Sequence, residues 1–356
     1  MIQQERKQRG SMEAMEDAAE GHDIVVVGAS AGGVEALRSF VNCLPADLTA
    51  SVFVVLHLSP MGTSVLPRIL ERSGMLEAAH AEDRQAFKHG IIYVAPPDQH
   101  MRLADGLIRL DRGPKVNGHR PAVDPLFRSA ADFYAGRVTG VVLSGVLDDG
   151  AAGLAAIGAA GGATLVQAAA DALYPTMPAA AVEAVPGAFI GDTVELANRV
   201  IELTTVSAGV PAPAVPLDPT DEIVRYLEVE RGATDAPQPG EPSGFTCPEC
   251  HGALWEFGEG SIKSYRCRTG HEFSFESLVA IQSEHVERAL WVALRALEEK
   301  AAMLRNMSTK SGGRGGAARA RRLTGQAERA VREASVLRGV LNDLGSGEER
   351  EPEQVT

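Results

Sequence analysis

Four short, wholly apolar and largely β-branched runs recur in this chain: Ile24-Val25-Val26-Val27, Val52-Phe53-Val54-Val55-Leu56, Gly140-Val141-Val142-Leu143 and Ala163-Thr164-Leu165-Val166. A strand with one wet face alternates apolar and polar residues. A strand apolar on both faces belongs in the middle of a parallel sheet covered by helices on both sides. Helix-like stretches separate the runs, at 33–43, 64–73, 125–135, 151–160, 178–185 and 193–204. The alternation predicts a doubly wound α/β domain with a mostly parallel sheet, running from Asp23 to Thr205. Residues 90–112 break the rhythm. Alternation around Ile92-Tyr93-Val94, His100-Met101-Arg102-Leu103 and Leu107-Ile108-Arg109-Leu110, with Asp105-Gly106 between the last two, predicts an antiparallel excursion closed by a hairpin.

The rest of the chain differs in texture. Residues 1–22 are charged throughout, without the apolar stretch of a secretory signal, and read as a flexible arm. Residues 206–243 are rich in Pro, Gly and acid and read as a semi-extended linker. Residues 244–275 form a compact module that holds three of the four cysteines. Residues 276–345 read as a helical hairpin, followed by an acidic tail at 346–356. One stripe comprises Val286, Leu290, Ala293, Leu297 and Leu304. A second, Leu323, Ala327, Ala330, Ala334, Leu337, Leu341 and Leu344, keeps the four-and-three spacing of a short heptad seam, which fits a closed hairpin or a coiled-coil dimer. With 47 acidic residues against 34 basic ones, the net charge of −13 argues against nucleic acid as a partner. No apolar run is long enough to insert into a membrane. Four cysteines in 356 residues do not make a disulfide scaffold, so the expected location is the cytoplasm.

Three polar residues stand directly after three apolar strands. Ser30 follows IVVVGA, His57 follows VFVVL, and Asp149 follows VVLSGVLD. In a parallel sheet all carboxyl ends point to one edge, so these side chains are delivered together. A serine, a histidine and an aspartate so placed are the parts of a nucleophile, a general base and an orienting carboxylate. Gly28, Gly32 and Gly33 suit a tight strand-to-helix turn, whose backbone N–H groups could hold a developing oxyanion. A dinucleotide loop is the competing reading. It fails because Ser30 occupies the middle Gly position of G-x-G-x-x-G and no acid closes the next strand. Asp98 and His100 read as hairpin residues, Asp124 as the cap of a helix beginning at Pro125, and Cys43 as a small core hydrophobe.

The segments VVVGASAGGVEAL, VVLHLSPMGTSVLPRIL, IIYVAPPDQHM, RPAVDPLFRSAA, GVVLSGVLDDGAAGLAAI and YPTMPAAAVEA, in that order across about half of the chain, closely resemble the catalytic domain of the chemotaxis-receptor methylesterase (CheB) family. The resemblance implies Ser30 as nucleophile, His57 as base and Asp149 as the orienting carboxylate. Asp148 is the excluded neighbour, because adjacent side chains of extended chain diverge. It also implies an oxyanion site made from the turn at Ala31, Gly32 and Gly33 and from Val146. The family commonly carries T-G-M-G where this chain has Ser144-Gly145-Val146-Leu147, and often Thr where Ala31 stands. These departures bear on rate and specificity more than on the triad. Only residues 1–22 precede the first strand, so the family's usual receiver domain, and activation by its phosphorylation, are not expected.

Cys247-Pro-Glu-Cys250 and Cys267-Arg-Thr-Gly-His271 have the spacing of two zinc knuckles. Four ligands leave no open position, so a zinc ion here would be structural, and the module would fold only when metal binds. His251 stands too close to Cys250 to complete the second knuckle, and the C-x-x-C pair does not open a helix as a redox pair would.

The expected activity is hydrolysis of glutamate γ-methyl esters on methyl-accepting chemoreceptors, with deamidation of glutamine by the same chemistry and no catalytic cofactor. The alternative is a non-catalytic chemosensory adaptor that uses the cysteine module and the C-terminal helices. In either case the Leu323–Leu344 stripe, carried on the linker, could dock other chemosensory proteins, so residues 244–345 are expected to be dispensable for cleavage of a small ester.

Overall fold

The computed structural model describes residues 23–58, 64–205, 240–258, 263–311 and 316–347. The expected arm at 1–22, nearly all of the linker and nearly all of the acidic tail lie outside these residues.

Strands β1 (Ile24–Ala29), β2 (Ser51–Leu56), β3 (Glu77–His80), β4 (Ile91–Val94), β7 (Val138–Val142), β8 (Ala163–Gln167) and β9 (Phe189–Gly191) form a seven-stranded sheet among the described residues. Its order is β3-β4-β2-β1-β7-β8-β9, and every pairing is parallel. The strand order reverses about β1, which pairs with β2 on one side and β7 on the other. Every residue of β1 and β2 is buried, as their unbroken apolar runs require. On one face Leu37, Phe40 and Val41 of α1 (Gly33–Asn42) pack with Leu70 of α2 (Leu66–Ser73) and Leu196 and Val200 of α6 (Thr193–Thr205) over Val25, Val27, Val52 and Val54. On the other, α3 (Val123–Tyr134), α4 (Ala151–Ala159) and α5 (Thr176–Ala184) supply Leu126, Phe127, Leu154, Ile157 and Met177 against Val26, Phe53 and Val55.

The expected excursion is narrower than its sequence suggested. Ile91–Val94 is a parallel strand of the main sheet, between β2 and β3. Only β5 (His100–Ala104) and β6 (Leu107–Asp111) run antiparallel. Their two-residue turn places Asp105 at φ 52° and Gly106 at φ 75°, both left-handed, as a tight hairpin turn demands. The hairpin leans on α3: the Leu103 N–H donates to Ser129 Oγ at 3.0 Å and the Gly106 N–H to the Tyr134 hydroxyl at 2.9 Å.

A second, four-stranded antiparallel sheet follows: β10 (Glu241–Thr246), β11 (Ala253–Phe257), β12 (Ser264–Cys267) and β13 (Glu272–Ser274). Its first strand begins inside the expected linker. The sheet belongs to the same compact unit as the parallel sheet, and that unit ends at Leu278. Side-chain and backbone contacts join the two sheets: Glu272 pairs with Arg128 of α3, Lys115 with Glu249, and β13 bonds to the loop after β6.

The second unit begins at Val279 and contains most of α7 (Phe275–Thr309) and all of α8 (Gly316–Gly347). These two helices pack on each other through Leu290, Leu294 and Leu297 against Ala334, Leu337 and Leu341. In the α8 stripe Leu323, Ala327, Ala330, Ala334 and Leu341 are buried and Leu337 is half-buried, while Leu344 is exposed. On α7, Leu294 and Ala301 line the seam where Ala293 was expected, and Val286 faces solvent.

Candidate active site

Ser30, His57 and Asp149 stand beyond the carboxyl ends of β1, β2 and β7, where the strand order reverses. Ser30 Oγ lies 3.0 Å from His57 Nδ1, and His57 Nε2 lies 2.7 Å from Asp149 Oδ2. With the carboxylate accepting from Nε2–H, Nδ1 is left as an acceptor for the serine proton. The His57 and Asp149 side chains are only 7% and 2% exposed, so their interaction is shielded from water. Asp148 points elsewhere and accepts hydrogen bonds from the hydroxyls of Ser274 and Ser277, at 2.8 and 2.9 Å.

The acid is held on every side. Asp149 Oδ2 also accepts from the Val123 N–H at 2.6 Å, and Oδ1 accepts from the Asp124 N–H at 3.2 Å and the Asn117 amide at 3.1 Å. The first N–H groups of α3 have no partner within the helix, so the carboxylate satisfies them and sits at the positive end of the dipole. Burial alone would raise the Asp149 carboxyl. The bonds from His57 and Val123 outweigh it and hold the group far below the usual carboxylate range.

Asp124 does the converse. It does not cap a helix starting at Pro125, because α3 begins at Val123. Its Oδ1 accepts instead from the Gly150 and Gly153 N–H groups at 3.1 and 2.7 Å, capping α4 from the side. Each carboxylate therefore caps the other's helix. Burial pushes Asp124 up to about 7 and Asp148 up to about 6.

Sequence reasoning missed two contributors, Asn117 and His119, on a loop of no periodicity. The His119 ring stacks on that of His57, with centroids 3.8 Å apart and planes 10° apart. Burial, then the neighbouring His57, pushes His119 down to about 4, so it is neutral at pH 7. The Asn117-Gly118 pair marked a turn, but nothing local tied that turn to Asp149.

On the serine side, Gly32 opens α1 at φ 67°, and the Gly33 N–H donates to the Ser30 carbonyl at 2.9 Å. Gly33 thus serves the turn, and its N–H is not left over for an oxyanion. The loop at 144–146 is fixed by Gly145 N–H to the Tyr174 carbonyl, 3.0 Å, and Met177 N–H to the Gly145 carbonyl, 3.0 Å. A Cβ at Gly145 would lie 2.9 Å from Ser30 Cβ and closer still to Met177 Sδ, so only glycine lets this loop approach the serine. Leu147 adopts φ 62°, a left-handed conformation that glycine takes without strain. Val146, between them, is exposed.

Asp98 and His100 are structural. Asp98 accepts from Arg120 at 2.6 and 2.9 Å, and His100 bridges the Pro114 carbonyl and the Ala122 N–H. Cys43 closes α1 and packs against the first core layer.

Cys247, Cys250, Cys267 and His271 come together, their ligand atoms all within 4.8 Å of one another. Cys250 Sγ is 3.5 Å from Cys267 Sγ, Cys247 Sγ is 3.7 Å from His271 Nδ1, and Cys267 Sγ is 3.5 Å from the same nitrogen. Those separations match the edges of a tetrahedron, about 3.6–3.8 Å, built on zinc–sulfur bonds of about 2.3 Å and a zinc–nitrogen bond of about 2.1 Å. The donors fit zinc. His251 lies outside the cluster, in a turn at φ 59°.

A hydroxyl, an imidazole and a buried carboxylate joined along one hydrogen-bonded line at a sheet edge define the site of a serine-type hydrolase. The family model described as CheB methylesterase matches residues 25–200. The chain is 42% identical over 173 residues to protein-glutamate methylesterase/protein-glutamine glutaminase 2 of Caulobacter vibrioides, covering 47% of this chain and 50% of that protein. It is 32% identical over 183 residues to a Leptospira interrogans relative, covering 51% of this chain and 95% of that one. The crystal structure of the Thermotoga maritima CheB methylesterase catalytic domain aligns with 52% of this chain and 99% of its own at 29% identity, with a TM-score of 0.49. The chain belongs to the CheB methylesterase family. It spans about half the length of the Caulobacter relative. Among the described residues, no helix is long and apolar enough to cross a membrane.

Proposed function

We propose that this protein is a protein-glutamate methylesterase acting in the cytoplasm on the glutamate γ-methyl esters of chemoreceptors. The observation that carries the reading is the line Ser30 Oγ–His57–Asp149, with links of 3.0 and 2.7 Å. Ser30 attacks the ester carbonyl as His57 Nδ1 takes its proton, and the Asp149 carboxylate stabilises the imidazolium through Nε2–H. The N–H groups of Ala31 and Val146, flanking the serine, receive the oxyanion. The tetrahedral intermediate expels methanol, which takes the proton from His57 and leaves an acyl-serine. Water, deprotonated by the same imidazole, then frees the glutamate carboxylate and restores Ser30. The same steps on a glutamine amide expel ammonia, so the site also suits deamidation.

Cys247, Cys250, Cys267 and His271 would hold a structural zinc, with all four positions filled by protein and none left for substrate. The C-terminal helices leave Val286, Trp291, Val292 and Met303 exposed, apolar side chains that another chemosensory protein would cover. The test is methanol release from methylated receptor. Ser30→Ala is expected to lower turnover by about a millionfold with an unchanged melting temperature, because the hydroxyl sits on a half-buried turn. Wild-type turnover in that variant would overturn the assignment.

A further inference from the structure

The first structural unit places the cysteine module against the loop that carries Asn117 and His119. We propose that this module is a clamp that positions the catalytic carboxylate through Asn117, so that metal occupancy of Cys247, Cys250, Cys267 and His271 sets the rate of hydrolysis. The proposal rests on the reading of Ser30, His57 and Asp149 as the triad.

The path is continuous and short. His271, a ligand, is followed directly by Glu272, the first residue of β13. Glu272 brackets the loop with both backbone groups: its carbonyl accepts from the Asn117 N–H at 2.8 Å, and its N–H donates to the Lys115 carbonyl at 3.2 Å. Two residues on, the Ser274 N–H donates to Asn117 Oδ1 at 2.9 Å. That bond fixes which way the amide faces. Its Nδ2 is then presented to Asp149 Oδ1 at 3.1 Å and to Asp124 Oδ2 at 3.2 Å. One primary amide is thus held at its oxygen by the module and holds the acid with its nitrogen.

Other contacts reinforce this path. The Ser274 and Ser277 hydroxyls hold Asp148, the residue before the acid. Glu272, 2% exposed, takes Arg128 of α3 at 2.7 Å on one oxygen and Arg266 of β12 on the other. His119, at the far end of the same loop, stacks on His57.

β13 is held by its ladder with β12, by the Glu272 ion pairs and by its bonds to Lys115 and Asn117, but the apolar core behind it is thin. Leu254, Tyr265, Phe273 and Leu278 are the large buried apolar side chains of the module among the described residues. The turn from Cys267 to His271 is closed by Cys267 N–H to the His271 carbonyl, 3.0 Å, and Gly270 N–H to the Cys267 carbonyl, 2.9 Å. A bound ion at such a turn would add folding energy to these contacts. Without metal, β13 is held less firmly, the Asn117 amide oxygen loses its donor, the Ser274 N–H, and Asp149 keeps fewer donors to orient it. Losing outer-shell support of this kind costs about 10- to 100-fold in activity.

The experiment uses the full-length protein, with zinc content, hydrogen exchange and steady-state hydrolysis of a small ester measured on each sample. Chelation is expected to remove the zinc, to speed exchange at residues 114–119 and to lower kcat about 10- to 100-fold with KM unchanged. Added zinc should restore all three. Asn117→Ala is expected to lower kcat to a similar degree while zinc content stays at the wild-type level, and chelating that variant should cost little more. Metal-free protein with wild-type kcat and unaltered exchange at 114–119 overturns the clamp, as does purified protein that binds no zinc. If chelation melts the parallel sheet as well, Asn117→Ala decides the matter, and full kcat there overturns the proposal. Ser30→Ala run alongside separates the two readings: activity surviving that change refutes the triad, whereas activity lost there but kept without metal refutes only the clamp.

Discussion

The edge of the parallel sheet and the cysteine module each present a handful of polar groups in fixed geometry, by opposite means. Ser30, His57 and Asp149 are carried on strands buried between two apolar layers, with Val26, Phe53 and Val55 on one face and Val25, Val27 and Val54 on the other. Removing a few of their polar contacts leaves that scaffold standing. The module has a thin core, charged residues such as Glu272 and Arg266, and four side chains, Cys247, Cys250, Cys267 and His271, that would hold it together through a zinc ion. A deep core makes a site tolerant of loss, whereas a ligand-held sheet makes it conditional on the ligand.

This contrast can be broken at several points. Asp149→Asn should give the largest effect, a fall in kcat of about ten-thousandfold with the fold intact, since the orienting carboxylate is lost but the core is untouched. Methanol release and a thermal melt check both halves. Glu272→Ala should act on the other region. It removes a buried carboxylate shared by the half-buried Arg128 and Arg266 and is expected to destabilise the module by about 1–3 kcal/mol, read as faster exchange across 241–274. A loss spread equally over β1 and β2 would show that the two regions do not differ as argued.

The stacked histidines sharpen the comparison through pH. Burial pushes His119 down to about 4 in the folded protein, from its ordinary value of 6.5, so the unfolded chain binds more protons between those values. Stability should therefore fall as pH drops from about 6.5 towards 4, by at most about 1.4 kcal/mol per pH unit. His119→Phe should flatten that limb in urea melts taken across the range; an unchanged slope would remove His119 as its source. The smallest effect belongs to Leu147→Gly. Relief of the left-handed strain, about 1–2 kcal/mol, is largely offset by glycine's greater freedom when unfolded, leaving a gain of about 0.5 kcal/mol or less in denaturant titrations.

Much of the sheet edge was legible because burial on two faces leaves an unmistakable trace. Strands such as Val52–Leu56 are apolar throughout, and the first polar residue after each is forced to the carboxyl edge. The clustering of the cysteines was legible because two residues between thiols turn both to one side, the spacing that a metal site would need. Strands β3 and β9 were not, since edge strands need no such run: Glu77-Ala78-Ala79-His80 is half polar and Phe189–Gly191 is three residues long. The burial of Ile91–Val94 in the main sheet was obscured by its alternation with neighbours that form a separate hairpin. Asn117, His119 and the docking of the module were hidden for another reason. They depend on contacts between residues distant in sequence, from the His119 stack on His57 to the bonds of Asn117 to Ser274 and Arg128 to Glu272 across more than a hundred positions, and polar loop residues carry no periodic signal of a distant partner. Asp124 shows the same limit at shorter range: its acidic side chain announced a cap, but the helix that it caps begins at Ala151.

The place of Glu272 and Ser274 late in the chain bears on how the protein comes to life at the ribosome. Translation delivers residues 23–205 first, and domains generally fold in the order of synthesis. The nascent sheet can therefore gather serine, histidine and aspartate while the strand that steadies Asn117 is still unmade. Under the clamp proposed above, full cleaving power would arrive last, once the remaining chain has emerged and captured an ion, and a half-finished polypeptide would be a poor esterase.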